Sequence, residues 1–168
     1  VHRAGHGMFT ENPLHGMSML AIAKLVRLVG GDNLHIGAIF GKMKGEKEDV
    51  ITIGEEISGE VIKKKGILDQ KWFGTKPVFS VCSGGIHPGT LPLLIKTMGN
   101  DIFAQAGGGV SAHPLGIKAG ARAMRQALEA TMQGVSLDEY ARKHVELKFV
   151  LEKWGEGKLI EPRNKKHI

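Results

Sequence analysis

Pro77-Val78-Phe79-Ser80-Val81-Cys82-Ser83-Gly84-Gly85 and Ile102-Phe103-Ala104-Gln105-Ala106-Gly107-Gly108-Gly109 are the two stretches on which the fold turns. Each is a short, largely apolar run that ends in a glycine cluster, the pattern of a β-strand stopping at a tight turn. A short helix through Leu91–Leu94 and Met98 lies between them. A longer helix over about 114–133 follows the second, with Ile117, Ala121, Met124, Leu128 and Thr131 along one stripe.

Working outward, Asn33-Leu34-His35-Ile36-Gly37-Ala38-Ile39 reads as an earlier strand. A helix over about 16–29 precedes it. There Met19, Ile22, Leu25, Val26 and Val29 share a face while Lys24 and Arg27 point away, and Gly30-Gly31 supplies the stop. After a glycine- and lysine-rich loop at 41–46, a helix is predicted over 49–65, interrupted by Gly54 and Gly59. Ser136 and Glu139 form a capping box for a last helix carrying Tyr140, Leu147, Val150 and Leu151, and a basic tail follows Trp154.

Strands that alternate with helices predict a parallel sheet covered by helices. Two architectures then place a ligand at the strand carboxyl ends. In a (β/α)8 barrel the loops after the last two strands form a phosphate site. In a doubly wound sheet the ligand lies at the switch point. The glycine clusters fit both.

The length of 168 residues suits one domain, and 42% hydrophobic with 24% charged residues is an ordinary soluble composition. A net charge of +6 raises the question of nucleic acid. Apart from Lys63-Lys64-Lys65 and Lys165-Lys166 the basic residues are dispersed, and no aromatic residues interleave them. The charge is therefore read as solvated surface that also favours an anionic small substrate, with no nucleic-acid partner. No apolar run is long enough to span a membrane. The one cysteine, Cys82, permits no intrachain disulfide, which fits the cytoplasm. The chain opens at Val1-His2-Arg3 without methionine or visible signal peptide, as a fragment would.

Several segments carry chemistry. His2-Arg3-Ala4-Gly5-His6 combines imidazoles that exchange protons near neutrality with an arginine that can clamp a phosphate. His2 and His6 stand four apart, a possible zinc spacing, but nothing completes a standard metal motif. Lys42, between Gly41 and Gly45, is either a solvated loop lysine or a charge delivered to a substrate by a loop that closes. Ser83-Gly84-Gly85 and Gly107-Gly108-Gly109 are phosphate-cradle candidates or ordinary strand-to-helix turns. His35 alone reads as a core histidine, and Cys82 as a buried strand residue.

Taken together, these segments resemble the large subunit of ribulose-1,5-bisphosphate carboxylase/oxygenase, in its archaeal (form III) type. The carrying residues are His2-Arg3-Ala4-Gly5-His6, His35-Ile36-Gly37 with Gly41-Lys42-Met43, Ser83-Gly84-Gly85-Ile86-His87, and Gln105-Ala106-Gly107-Gly108-Gly109 with His113-Pro114. The resemblance implies an α/β fold, the C-terminal portion of a (β/α)8 barrel. Residues 1–134 would supply about strands six to eight with their helices, and 135–168 the C-terminal helix and basic tail.

The resemblance also implies roles. His2 would accept a proton late in the reaction, and Lys42 would stabilise the carboxylation transition state. Arg3 and His35 would bind one substrate phosphate, Gly85, Gly107 and Gly108 the other. Ser83, with Gly84 beside it, would contact substrate. The implied reaction adds carbon dioxide to ribulose 1,5-bisphosphate to give two 3-phosphoglycerates, with oxygen competing, in a homodimer or larger assembly. The family's magnesium site, a carbamylated lysine and two carboxylates in a Lys-x-Asp-Glu motif, has no counterpart in this sequence. The chain is thus expected to lack the metal side of the site and to be inactive alone. A related enolase or isomerase acting on a sugar phosphate, or a non-catalytic phosphate-binding remnant, are the competing readings.

Overall fold

The computed structural model describes residues 1–12, 14–39 and 47–157, which gather into two units. Among these residues the first unit holds 1–39, 47–83 and 98–104, and the second 84–97 and 105–157.

The first unit opens with a single helical turn, α1 (Gly7–Thr10), and a longer helix, α2 (Met19–Leu28). Ser18 starts α2: its backbone is extended and its Oγ accepts the Ala21 N–H at 3.2 Å, pairing a donor the helix itself leaves free. Strand β1 (Asn33–Gly37) follows, then α3 (Lys47–Ser58), a small antiparallel pair β2 (Val61–Ile62) and β3 (Gln70–Lys71), and β4 (Phe79–Ser83). After a 3-10 turn at Pro88–Thr90 come α4 (Leu91–Met98) and β5 (Ile102–Gln105). The remainder is helical: α5 (Gly108–Ser111), α6 (Ile117–Gln133), α7 (Leu137–Ala141) and α8 (Val145–Trp154).

The sheet has the order β1-β4-β5, with β1 and β4 parallel and His35 opposite Val81. The alternation of side chains along a strand decides what each face carries. Leu34, Ile36, Ser80 and Cys82 are buried on the face that α3 covers. Gly54 permits that approach: a Cβ there would stand 2.6 Å from Met98 Cε and 3.2 Å from Ser80 Oγ. His35, Phe79, Val81 and Ser83 therefore point to the other face. There Phe79 meets Phe103 edge-on at 5.8 Å, and both rings are about half exposed. The expected parallel α/β arrangement is present.

Several sequence expectations are corrected. The helix predicted over 49–65 ends at Ser58. Gly54 does not interrupt it, whereas Gly59 lies where it ends, close to Ile62 of the β2–β3 pair. The helix expected over 16–29 buries Ala23 and Arg27, while Leu25 and Val29 of its predicted apolar face are exposed. The single last helix is two, α7 and α8, separated at residues 142–144.

In the second unit the apolar stripe proposed for α6 is also displaced. Its buried face is Gly120, Ala123, Ala127 and Ala130, and Ile117 is exposed. The reason is proximity: a Cβ on Gly120 would lie 2.1 Å from the Val110 carbonyl oxygen, so α5 and α6 touch through backbone. Small residues are what a helix buries when its neighbours come this close. Gly134 ends α6 in the left-handed conformation (φ 68°), and the Val135 N–H returns to the Ala130 carbonyl.

Cys82 is fully buried, as expected of a strand residue, and burial pushes its thiol up to about 12. The native thiol should therefore resist iodoacetamide at about pH 8 and react once the chain is unfolded in urea. Fast labelling of the folded chain, followed by mass spectrometry, would contradict this burial.

Candidate functional site

The first unit brings four of the candidate residues together. The Val1 carbonyl accepts the His35 N–H at 3.0 Å, which lays the segment carrying His2 and Arg3 along β1. The rings of His2 and His35 then meet at 4.8 Å between centroids, tilted by 49°. From the adjacent strand Ser83 reaches the same place, with its Oγ 3.3 Å from His35 Nδ1. His35 is thus not an isolated core histidine but the centre of a polar cluster.

The Ala4 N–H donates to His2 Nδ1 at 3.0 Å. In the neutral ring the proton then sits on Nε2, which presents a donor. To take up a second proton, His2 must release the Ala4 amide.

Arg3 is half-buried, and desolvation holds its pKa below the usual arginine value. Its guanidinium lies directly on Gly37. A Cβ at Gly37 would come 2.3 Å from Nη2, the free end of the Arg3 side chain, and the residue has φ 114°, so it is the backbone that calls for glycine. Gly37 was not among the candidate residues. Its role as the floor under Arg3 depends on a contact between residues far apart in sequence.

His6 is not part of this cluster. Its Nδ1 pairs with Thr10 Oγ1 at 2.9 Å, and its pKa is lowered by burial and by the positive charge of Arg3, partly offset by Glu11. Among the described residues no three His, Cys, Asp or Glu side chains stand together as a metal site. A cavity of about 810 Å³ in this unit is walled by Arg3, His6, Lys64 and Lys65, but also by Glu11, Glu48 and Asp49. Cations and carboxylates are balanced there, so the lining marks no particular preference for a phosphate.

The second unit carries the glycine turns. Gly84 (φ 84°) and Gly85 (φ 70°) are successive left-handed residues directly after β4, a turn that side chains with a Cβ adopt only under strain. Gly107 and Gly108 differ. Gly107 has a negative φ of −78° with ψ −81°, and a Cβ on either would meet no described atom within 4 Å. No described atom crowds either position. Open space over exposed backbone amides is what a ligand approaching the main chain needs. Lys42 lies outside the described residues.

Parallel strands with polar side chains gathered toward their carboxyl ends, and glycine turns directly after them, define an α/β protein with the ligand-facing end expected of that class. The comparisons place it more narrowly. Residues 1–154 match the family model for the ribulose bisphosphate carboxylase large chain, catalytic domain, and the chain belongs to that family.

Ribulose bisphosphate carboxylase of Methanosarcina barkeri is 49% identical over 157 residues, covering 92% of this chain and 37% of the relative. The dimeric archaeal Rubisco structure from Hyperthermus butylicus matches with a TM-score of 0.82 and 50% identity, over 92% of this chain and 36% of that one. The octameric ribulose-1,5-bisphosphate carboxylase/oxygenase of Pyrococcus horikoshii gives 0.78 and 45%, over 90% and 34%. The chain therefore spans little more than a third of these relatives' length. No helix among the described residues is long and apolar enough to cross a membrane.

Proposed function

We propose that this chain forms the substrate-phosphate side of a ribulose-bisphosphate carboxylase large subunit. It would be the C-terminal portion of a (β/α)8 barrel, about strands six to eight, with a C-terminal helix. In the complete cytoplasmic enzyme carbon dioxide adds to ribulose 1,5-bisphosphate, with oxygen as competitor, in a homodimer or larger assembly. The observation that carries this reading is the convergence of His2, Arg3, His35 and Ser83 in a chain that matches the family from residue 1 to 154.

Arg3 and His35 supply a cation and a neighbouring imidazole for one phosphate. The amides of Gly85, Gly107 and Gly108 are the donors for the other, with Gly84 in the same turn contacting substrate. Ser83 contributes a hydroxyl, and His2 accepts a proton at Nδ1 on releasing the Ala4 amide. Lys42 brings a positive charge to the group added to the substrate.

The family implies magnesium, held by carboxylates and other hard oxygen ligands. Two imidazoles, a guanidinium and a hydroxyl do not fit that ion, and no acidic cluster stands beside them among the described residues. No step is assigned to the metal here, and the purified 168-residue chain is expected to fix no carbon dioxide.

The test is binding. Isothermal titration of the chain with ribulose 1,5-bisphosphate should give a complex that Gly107→Ala weakens about tenfold or more. Its melting temperature should hardly change, because the added methyl meets no atom of the described residues within 4 Å. Equal affinity in the two proteins would remove Gly107 from the site.

A further inference from the structure

We infer that Gly109 and Trp154 are positioning residues, which together fix the spacing between the Gly84–Gly85 turn and the Gly107–Gly108 turn. The inference rests on the reading of those turns as phosphate donors. Both residues lie in the second unit, as do the turns they position.

Gly109 is the first part of the device. It is buried, and a Cβ there would lie 2.2 Å from the Ile86 carbonyl oxygen, 2.7 Å from His87 Cα and 2.8 Å from His87 Cβ. None of these atoms is the free end of a flexible side chain. Gly109 is not among the positive-φ glycines, so glycine is needed for closeness and not for conformation. The main chain two residues beyond Gly107 is therefore pressed onto the main chain one and two residues beyond Gly85. A rigid contact so near both turns sets the distance between their amides.

His87 is the fixed point of that contact. It is fully buried. Its N–H donates to Thr90 Oγ1 at 3.0 Å, the Thr90 hydroxyl donates back to its carbonyl at 3.0 Å, and its Nδ1 accepts the Gly89 N–H at 3.2 Å. The outer side of its ring meets Trp154 at 5.3 Å between centroids.

Trp154 ends α8, and the residues after it close on the same turn. The Gly157 N–H donates to the Gly89 carbonyl at 2.9 Å, and the Gly155 carbonyl lies against Gly89. The same helix also grips the segment that leaves Gly109. Lys153 Nζ donates to the Ala112 carbonyl, and His113 Nε2 donates to the Glu146 carbonyl at 2.9 Å while its Nδ1 accepts the Leu115 N–H. One helix thus braces both sides of the contact at Gly109.

The experiment uses the ¹⁵N-labelled chain, with inorganic phosphate as the probe. In the wild type, phosphate should shift the amides of Gly84, Gly85, Gly107 and Gly108. In Gly109→Ala and Trp154→Ala the Gly84 and Gly85 amides should be displaced before any phosphate is added. Their phosphate dissociation constants should rise about fivefold or more, at a temperature where circular dichroism shows native helix content. Trp154→Phe should restore both readouts, since a flat ring still covers His87. A role confined to stability would lower the melting temperature without moving the dissociation constant of the folded protein.

Should Gly109→Ala not fold, the Trp154 pair decides alone. Unmoved glycine amides and an unchanged dissociation constant in folded Trp154→Ala would overturn the proposal. Failure of the wild-type glycine amides to respond to phosphate sinks the phosphate reading instead. In that case the ligand-free amide shifts of the variants still decide whether the two turns are coupled.

Discussion

Arg27→Met should destabilise the chain by about 3–5 kcal/mol, the range for removing one partner from a buried charged network. Arg27 is 1% exposed, and its guanidinium donates to four main-chain carbonyls: Lys76 at 3.2 Å, Glu56 at 3.2 Å, Gly59 at 2.6 Å and Thr75 at 2.8 Å. It also lies 4.2 Å over the Trp72 ring. The Glu56 and Gly59 carbonyls belong to the end of α3, where a helix leaves acceptors unpaired. Methionine fills similar volume and adds no donor.

Burial of a charge normally counts against an arginine, and an all-apolar replacement of a buried ion network is often tolerated. Here only the cation would leave. The carbonyls would stay buried, and so would the Glu56 carboxylate, whose Oε1 would keep Lys24 at 3.2 Å as its nearest cation. The penalty for unmade bonds therefore decides the sign. Arg27→Lys should fall between the two, because one ammonium cannot span carbonyls that a planar fork reaches together. Urea unfolding followed by circular dichroism measures this, and a loss under about 1 kcal/mol for Arg27→Met would contradict the account.

The same residue shows where reading the sequence stops. Periodicity located α2 to within a few residues and then turned it the wrong way. An arginine on a helix reads as solvent-facing, and only the chain folded back through residues 56–76 supplies the carbonyls that draw it inward. The α6 helix failed for a related reason, since its buried alanines and Gly120 are legible only once Val110 is known to press on them. The two-residue strands β2 and β3 are too short to carry a period.

By contrast, strand alternation and glycine punctuation survived almost unchanged. His35 and Ser83 share a face because each has its apolar neighbours on the other. The glycine clusters stand where they were read, directly after β4 and β5. Their division of labour was not legible, however. Gly84 and Gly85 answer a backbone demand and Gly109 a packing demand, while Gly107 and Gly108 have neither a positive φ nor a described atom against them, which is why the last two are the best candidates for a ligand.

Lys42→Ala in the complete enzyme should lower carboxylation about 10²–10³-fold, the usual loss when a preorganised charge at a transition state is removed. In sequence, Lys42 falls between β1, which holds His35, and α3. The charge it would answer appears on the oxygens of the added carbon dioxide and not on the substrate before addition. Loss of Lys42 should thus spare the earlier removal of a substrate proton, measured as exchange of substrate hydrogen with deuterated solvent. Carbon-14 dioxide incorporation should collapse in the same preparation. Restoration by an arginine at this position is not expected to be full, since its wider, planar fork places charge differently from a compact ammonium. If exchange and incorporation fall together, Lys42 acts on substrate binding; if neither falls, it has no part in the reaction.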